Sequence, residues 1–214
     1  MMMNSLNATD IRAIFCAMKD NVIAEREHLI ELDSALGDGD LGITMTRGFE
    51  EANRTITDLA ENDIGRILMK AGMVIAKTAP STMGTLIATG FMRGGKAVSG
   101  REVLGLTDIL ALFEAFTNGI MERGKARPGE KTVIDTLLPA AETLRDALRD
   151  DKTLNEGMSA AYEAAVSGAE STKEMRAVHG RPAYYGDKSI GREDPGAAVG
   201  VIIMKAFAEY TAHR

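Results

Sequence analysis

The chain reads Asp33-Ser34-Ala35-Leu36-Gly37-Asp38-Gly39-Asp40-Leu41-Gly42 directly after a long pattern of helical apolar spacing. Three carboxylates and three glycines fall within this stretch. Carboxylates crowded this closely repel one another unless a cation lies among them, and glycines let a ligand approach bare backbone amides. Mg²⁺ prefers such hard oxygen ligands, and it completes its coordination shell with water and substrate phosphates. The stretch therefore predicts a site for Mg²⁺ and a nucleotide.

Three other interpretations compete with this one. The spacing of Gly37, Gly39 and Gly42 matches the dinucleotide-binding pattern, but that pattern requires a preceding strand, and here the preceding residues have helical spacing. A calcium loop of the EF-hand type beginning at Asp38 would need glycine and glutamate where the chain has Ile43 and Phe49. A solvated acidic turn agrees with the residues of the stretch, because glycine and aspartate are common in turns. That last alternative stays open at this point.

Composition limits the kind of protein. The 214 residues are 45% hydrophobic and 26% charged, which is typical of one globular domain, expected here over residues 1–214. The net charge of −6 argues against a nucleic-acid partner. The single cysteine allows no internal disulfide, no apolar run is long enough to cross a bilayer, and the N-terminus has no secretion signal. A cytoplasmic protein without membrane contact is expected.

Apolar residues recur at helical spacing along almost the whole chain. Short turns separate the helical patterns, which cover about residues 9–36, 43–56, 63–77, 81–95, 107–120, 133–148, 154–177 and 195–210. The candidate N-caps are Thr9, either Asn62 or Asp63, Thr107, and Asp194, which is followed by Pro195 at the first helical position. No alternating strand pattern is present, so an all-α fold of antiparallel neighbours is expected.

Three junctions between a loop and a helix combine small residues with a helix N-terminus: residues 37–44, 80–86 and 181–196. Alternate junctions of an antiparallel helical assembly lie at the same end, so these can converge on one ligand. Asp33, Asp38 and Asp40 would hold Mg²⁺, and amides near Gly39–Thr44 would bind phosphate oxygens. Arg181 would pair with a phosphate or cover the base, with an ordinary surface salt bridge as the alternative.

The order of these motifs resembles the dihydroxyacetone kinase L subunit family. The resemblance runs from about residue 8 to residue 212. It is carried by the acidic stretch 33–42, by the small-residue turn 80–86, by Pro128-Gly129-Glu130-Lys131-Thr132, and by Gly180-Arg181-x-x-Tyr184 followed by Ser189-x-Gly191-x-x-Asp194-Pro195-Gly196-Ala197 as the fourth motif. Four separate motifs in the right order are more specific than any one of them.

The resemblance implies an antiparallel eight-helix barrel that binds ADP or ATP at one end through two Mg²⁺ ions. Its metal ligands carry over onto Asp33, Asp38 and Asp40, which with Arg181 form the implied catalytic set. The nucleotide contacts carry over onto Leu41, Gly42, Ile43, Thr44, Thr82, Met83, Gly124, Val133, Arg181, Asp194, Pro195 and Gly196. The chain departs from the family pattern at Leu41, where histidine is usual, at Ala79-Pro80 in place of paired glycines, and at Met83 in place of serine.

The implied activity is phosphotransfer to a small ketose or ketotetrose that a separate K subunit binds covalently through its own histidine. Two phosphate donors fit this activity: a phosphocarrier protein of the phosphotransferase system that rephosphorylates bound ADP, or ATP directly. A non-enzymatic alternative is a nucleotide-sensing module that docks on a transcription regulator. The sequence leaves the acceptor sugar, the donor and homodimer formation open.

Overall fold

The computed structural model describes residues 5–213, and most of them are helical. The α-helices are α1 (Ala8–Ala24), α2 (Arg26–Ser34), α3 (Leu41–Thr57), α4 (Ile64–Thr78), α5 (Thr82–Ala97), α6 (Leu106–Gly124), α7 (Ile134–Arg149), α8 (Leu154–Ser171) and α9 (Pro195–Ala212). Two 3₁₀ segments, Thr172–Glu174 and Arg181–Ser189, lie between α8 and α9. The all-α prediction is confirmed.

The helices close into a ring. Each helix from α3 to α9 packs against the next one along the chain, α1 packs against α3, and α9 returns to pack against α1. Since only Glu25 separates α1 from α2, the two count as one interrupted helix, and the ring then consists of eight helical units. The expected antiparallel eight-helix barrel is the observed architecture.

A continuous strip of aromatic rings fills the interior. All six phenylalanines of the chain are buried. Phe91 of α5 lies at the centre, with ring centroids 5.0 Å from Phe15 and 5.0 Å from Phe116. Phe113 continues the strip to Phe207 of α9 at 5.1 Å. Edge and tilted ring contacts of this kind stabilise a core beyond their buried area, so this strip joins opposite walls of the barrel.

Four local features differ from the sequence predictions. The helical pattern over 154–177 gives an α-helix only to Ser171, where the 3₁₀ segment Thr172–Glu174 begins. The N-cap of α1 is Asn7, whose side chain accepts hydrogen bonds from the amides of Thr9 and Asp10, so Thr9 lies inside the helix. The pattern over 9–36 predicts one helix, but the chain forms two that meet at Glu25. Helix α6 begins one residue before Thr107, with the carboxylate of Asp108 accepting from the Gly105 amide. At the starts of α1 and α6, hydrogen bonds accepted by the Asn7 and Asp108 side chains set the boundary.

A short β-ladder was not predicted. Leu6 and Asn7 (β1) pair antiparallel with Val103 and Leu104 (β2). Two residues on each side carry no readable alternation, so the sequence has no signal for this ladder. The ladder lies between the N-terminal segment and the α5–α6 connection.

Between residues 5 and 213, none of the helices has the combination of length and apolar character that crossing a bilayer requires.

Candidate magnesium–nucleotide site

Four connections meet at one end of the barrel: residues 35–40, 79–81, 125–133 and 172–194. They alternate with the connections at the other end because successive helices run in opposite directions. The predicted convergence of the junctions 37–44, 80–86 and 181–196 is therefore what the topology produces. The connection 125–133 is the fourth member of the group.

The three aspartates of the acidic stretch form one cluster. Each offers a carboxylate oxygen, and these oxygens lie within 4.8 Å of one another. Asp33 belongs to the last turn of α2, and its Oδ2 accepts hydrogen bonds from the amides of Asp40 (3.0 Å) and Leu41 (3.2 Å). A methyl group at Gly37 would lie 2.1 Å from the other oxygen, Oδ1, so only glycine leaves room for this carboxylate. Asp33 thus shapes the loop with one oxygen and keeps the other available.

The negative charges of the three aspartates repel one another. The pKa of Asp40 is raised, first because its surroundings desolvate the carboxylate, and then because Asp38 and Asp33 repel its charge. The positive charge of Arg181 lowers the pKa of Asp40 and so opposes this effect. Nη2 of Arg181 lies 2.6 Å from Oδ2 of Asp38. Both members of that pair are substantially exposed. A cluster of oxygen donors with unrelieved negative charge fits a hard divalent cation such as Mg²⁺.

Two helix N-termini beside this cluster have amides available for an anion. At α3, the Leu41 amide donates to the Asp33 carboxylate, and the Thr44 amide donates to the Asp40 carbonyl. The amides of Gly42 and Ile43 have no partner within residues 5–213. At α5, the N-cap Ser81 accepts from the Gly84 and Thr85 amides. The amides of Thr82 and Met83 have no partner in the described part of the chain. Helix N-termini with unpaired amides bind phosphate groups well.

The N-terminus of α9 is different because its own carboxylate already occupies it. Asp194 is 8% exposed, and its Oδ2 accepts from the Ala197 amide at 2.8 Å. The pKa of Asp194 is raised to about 7, mainly because burial disfavours the charged form. The predicted cap and the first helical position at Pro195 are both observed. Asp194 is therefore placed to shape this wall rather than to present its carboxylate to a ligand.

The remaining predicted contacts fall into two groups. A methyl group at Gly196 would lie 2.5 Å from Cε of Met83 and 3.5 Å from the nitrogen of Val133, so the first turns of α5 and α9 and the end of the connection 125–133 meet here. Gly124, at the end of α6, lies against Leu86 of α5. By contrast, the side chains of Leu41 and Val133 are buried in the core, so neither side chain faces the cluster.

Gly84, in the first turn of α5, leaves no room for a side chain against the 79–81 connection. A methyl group there would lie 2.0 Å from the carbonyl oxygen of Ala79. Substituting Gly84→Ala is expected to displace the 79–83 turn and to destabilise the fold by about 1–3 kcal/mol, even though alanine favours the helix. Urea unfolding checks this, with Gly157→Ala as the control, since its methyl would lie 3.0 Å from the end of the Leu106 side chain and 3.3 Å from Cβ of Ala147, with no backbone atom as close as the Ala79 carbonyl is to Gly84. Equal effects of the two substitutions would contradict the assignment.

Sequence reasoning missed the buried polar residues that support the site. Lys131 and Asp135 are both buried, and the Asp135 carboxylate accepts from the amides of Gly129 (2.5 Å) and Thr132 (2.7 Å). Glu130 lies 2.6 Å from Nε2 of His179, which joins two connections that are far apart in sequence. The Pro128–Thr132 motif drew attention to this loop, but its spacing does not indicate which side chains turn inward.

Two surface cavities lie away from the cluster. They have volumes of about 580 Å³ and 370 Å³ and share residues of α5 and α6, namely Arg93, Gly119 and Glu122. Neither is lined by an aspartate of the cluster. The candidate site is therefore separate from both of these cavities.

Comparison with known proteins identifies a family and several relatives. The model of the DAK2 domain family matches residues 35–209. The PEP-dependent dihydroxyacetone kinase, ADP-binding subunit DhaL, of Escherichia coli K12 is 35% identical over 95% of this chain and 97% of its own length. The corresponding subunit of dihydroxyacetone kinase 1 of Listeria innocua is 34% identical over 89% of this chain and 90% of its own.

A solved structure shares the fold. The dihydroxyacetone kinase of C. freundii in complex with AMP-PNP and Mg²⁺ superimposes with a TM-score of 0.73 at 25% sequence identity. The superposition covers 98% of this chain and 35% of that one, so the present chain corresponds to about a third of the longer kinase.

Proposed function

Because this chain belongs to the DAK2 domain family of dihydroxyacetone kinase L subunits, we propose that it binds Mg²⁺ and an adenine nucleotide at the aspartate end of its barrel. We propose further that it transfers the phosphoryl group to a small ketone held by a separate K-type subunit. In this proposal residues 1–214 form a single nucleotide-binding domain that works in the cytoplasm.

One observation supports the proposal most strongly. Three carboxylates with oxygens within 4.8 Å of one another lie beside α3 and α5, whose N-terminal amides at Gly42, Ile43, Thr82 and Met83 have no partner among residues 5–213. A solvated acidic turn needs no neighbouring anion sites. Carboxylates for a cation and amides for phosphates, side by side, fit a Mg²⁺–nucleotide complex.

Different residues would bind the metal ions, orient the phosphates and pair with a phosphate oxygen. Asp38, Asp40 and the available oxygen of Asp33 would hold two Mg²⁺ ions, and the open amides of α3 and α5 would orient the phosphates. When bound, Mg²⁺ neutralises the phosphate oxygens and so stabilises the charge of phosphoryl transfer. Once a cation neutralises Asp38, the Arg181 guanidinium is able to leave that carboxylate and pair with a phosphate oxygen. Transfer then depends on positioning and charge neutralisation.

The names of the relatives favour one phosphate donor. Both bacterial relatives described above are PEP-dependent and ADP-binding, and this chain aligns with nearly their whole length. We therefore propose that bound ADP is rephosphorylated by a phosphocarrier protein rather than exchanged for ATP. The acceptor is a small ketose or ketotetrose.

The binding step is tested with the purified protein, ADP and ATP, first with Mg²⁺ and then with EDTA. A nucleotide at about 100 times its dissociation constant raises the free energy of unfolding by roughly 2.7 kcal/mol, which a thermal shift detects. We expect stabilisation by ADP that EDTA abolishes. ADP already bound to the isolated protein would support the phosphocarrier route, and ready stabilisation by free ATP would support direct ATP use. No response to either nucleotide would refute the proposal.

The transfer step is tested by adding a K-type subunit, dihydroxyacetone and each donor in turn, and by measuring the phosphorylated ketone. Turnover with the phosphocarrier is the expected result. Mg²⁺-dependent nucleotide binding with no transfer to any small ketone would instead favour a nucleotide-sensing module that regulates a transcription factor.

A further inference from the structure

Arg181 reaches the aspartate cluster from a long connection, of which residues 172–192 are called the strap here. The side chain of Arg181 is 63% exposed and that of Asp38 is 40% exposed. An exposed ion pair of this kind contributes only about 0–1 kcal/mol. The pair is too weak to hold the strap in place, so the position of Arg181 must be set by contacts elsewhere.

Lys131 makes such contacts at both ends of the strap. Its side-chain ammonium donates hydrogen bonds to the carbonyl of Thr172 and to the carbonyl of Arg192, each at 2.5 Å. The same ends are closed by the Gly191 amide, which donates to the Lys173 carbonyl at 2.7 Å. One side chain from the connection between α6 and α7 thus joins the first and the last residues of the strap.

Burial and a left-handed backbone are both unfavourable for a lysine, which indicates that the hydrogen-bond donors of its ammonium group are needed here. Lys131 is 4% exposed and has a left-handed backbone with φ of 61°. Burying an ammonium group is unfavourable unless its donors are satisfied, and the left-handed region is disfavoured for residues with a side chain. Burial lowers the pKa of Lys131, while the carboxylates of Asp194, Asp135 and Glu193 oppose that shift. An apolar side chain would avoid the cost of burying the charge, but only a donor can bind two carbonyls.

The residue before Lys131 supports the same part of the strap. The carbonyl of Glu130 accepts from the Val178 amide at 3.3 Å, and its carboxylate lies 2.6 Å from Nε2 of His179. The strap is therefore fastened at its beginning, at its end and just before Arg181, whereas Tyr184 and Tyr185 near its middle are exposed.

We propose that Lys131 is a positioning residue, whose ammonium fastens both ends of the strap and thereby places Arg181 against the aspartate cluster. This inference rests on the proposed function for its effect on phosphoryl transfer, but the fastening itself can be measured without transfer.

The fastening is tested by chymotryptic cleavage after Tyr184 and Tyr185. Lys131→Met keeps the length of the side chain and removes its donors, and Lys131→Arg keeps donors. Lys125→Met is the matched control, because Lys125 lies in the same connection with a left-handed φ of 54° but is exposed. We expect cleavage about 10-fold faster in Lys131→Met, with Lys131→Arg and Lys125→Met close to the unmodified chain. Equal cleavage rates in all four proteins would overturn the proposal.

The role in placing Arg181 is tested by a double-mutant cycle with Arg181→Ala. If Lys131 acts through Arg181, Lys131→Met lowers turnover roughly 10-fold or more in the unmodified chain and has no further effect in the Arg181→Ala chain. The nucleotide dissociation constant should change less than turnover. Independent, additive losses would show a general structural role and overturn the proposal.

Failure of the proposed function would be recognised separately. If the unmodified chain transfers no phosphoryl group, the same cycle is measured by Mn²⁺ affinity, since Arg181 competes with a cation for Asp38. Arg181→Ala and Lys131→Met should then each tighten Mn²⁺ binding several-fold, without adding to one another. Unchanged Mn²⁺ binding in Lys131→Met would contradict the placement of Arg181 by Lys131.

Discussion

Replacing Asp38 with asparagine is expected to abolish Mg²⁺-dependent nucleotide binding and to leave the fold intact. The structure makes Asp38 the cleanest of the three aspartates to change. Asp33 also holds the amides of Asp40 and Leu41, so its loss would disturb the loop. The Asp38 carboxylate is paired only with Arg181 within residues 5–213, and both side chains are exposed. Removing it therefore removes a cation ligand without removing a support of the loop.

The effect on binding should be large. Even groups that only support metal ligands change metal affinity about 10–100-fold, so loss of a direct ligand should weaken Mg²⁺–ADP binding by more than about 100-fold. Isothermal titration with and without Mg²⁺ measures this, and circular dichroism follows the fold. Asp58→Asn is the control, because Asp58 caps the opposite end of α3. Normal Mg²⁺-dependent binding by the Asp38→Asn chain would refute the metal-ligand assignment.

The second large effect expected is a loss of stability as the pH rises, caused by Asp194. Burial raises the pKa of this carboxyl group from its ordinary value of 3.8 to about 7, although the Ala197 amide and the charge of Lys131 partly oppose the shift. An acid with a higher pKa in the folded state binds more protons when folded. The free energy of unfolding should therefore fall as the pH rises from about 4 to about 7. With about 1.36 kcal/mol for each pKa unit, the loss is on the order of 4 kcal/mol.

Asp194→Asn isolates this contribution, because asparagine is also a favoured N-cap but carries no charge. We expect the substituted chain to lose much less stability between pH 5 and pH 8 than the unmodified chain, and to be the more stable of the two at pH 8. Urea unfolding at several pH values measures the difference, and other titrating groups cancel because both chains share them. Asp146→Asn, at an exposed position, should leave the pH dependence unchanged. Parallel curves for the Asp194→Asn and unmodified chains would contradict the prediction.

Features that depend on neighbours in sequence could be predicted well. The helical spacing, the caps at Asp63 and Asp194 and the position of Asp33 in a last helical turn are all observed. The crowding of Asp33, Asp38 and Asp40 follows from a short glycine-rich loop, in which few backbone paths are available. The assignment of these residues and of the nucleotide contacts as ligands stays a prediction that the substitutions above test.

Features that depend on distant contacts needed the folded chain. Lys131 reads as an ordinary charged loop residue, and only the return of residues 172 and 192 to one place makes it buried and bonded. Likewise, the sequence indicates only an N-cap at Asp194, whereas the folded chain bonds its amide to Thr172 and buries its carboxyl group. Helical periodicity and capping depend on residues only a few positions apart, so the local sequence predicts them directly. Burial and hydrogen bonding across dozens of residues arise only when the barrel closes, because the charge and the partners of a side chain there depend on what the other helices bring beside it.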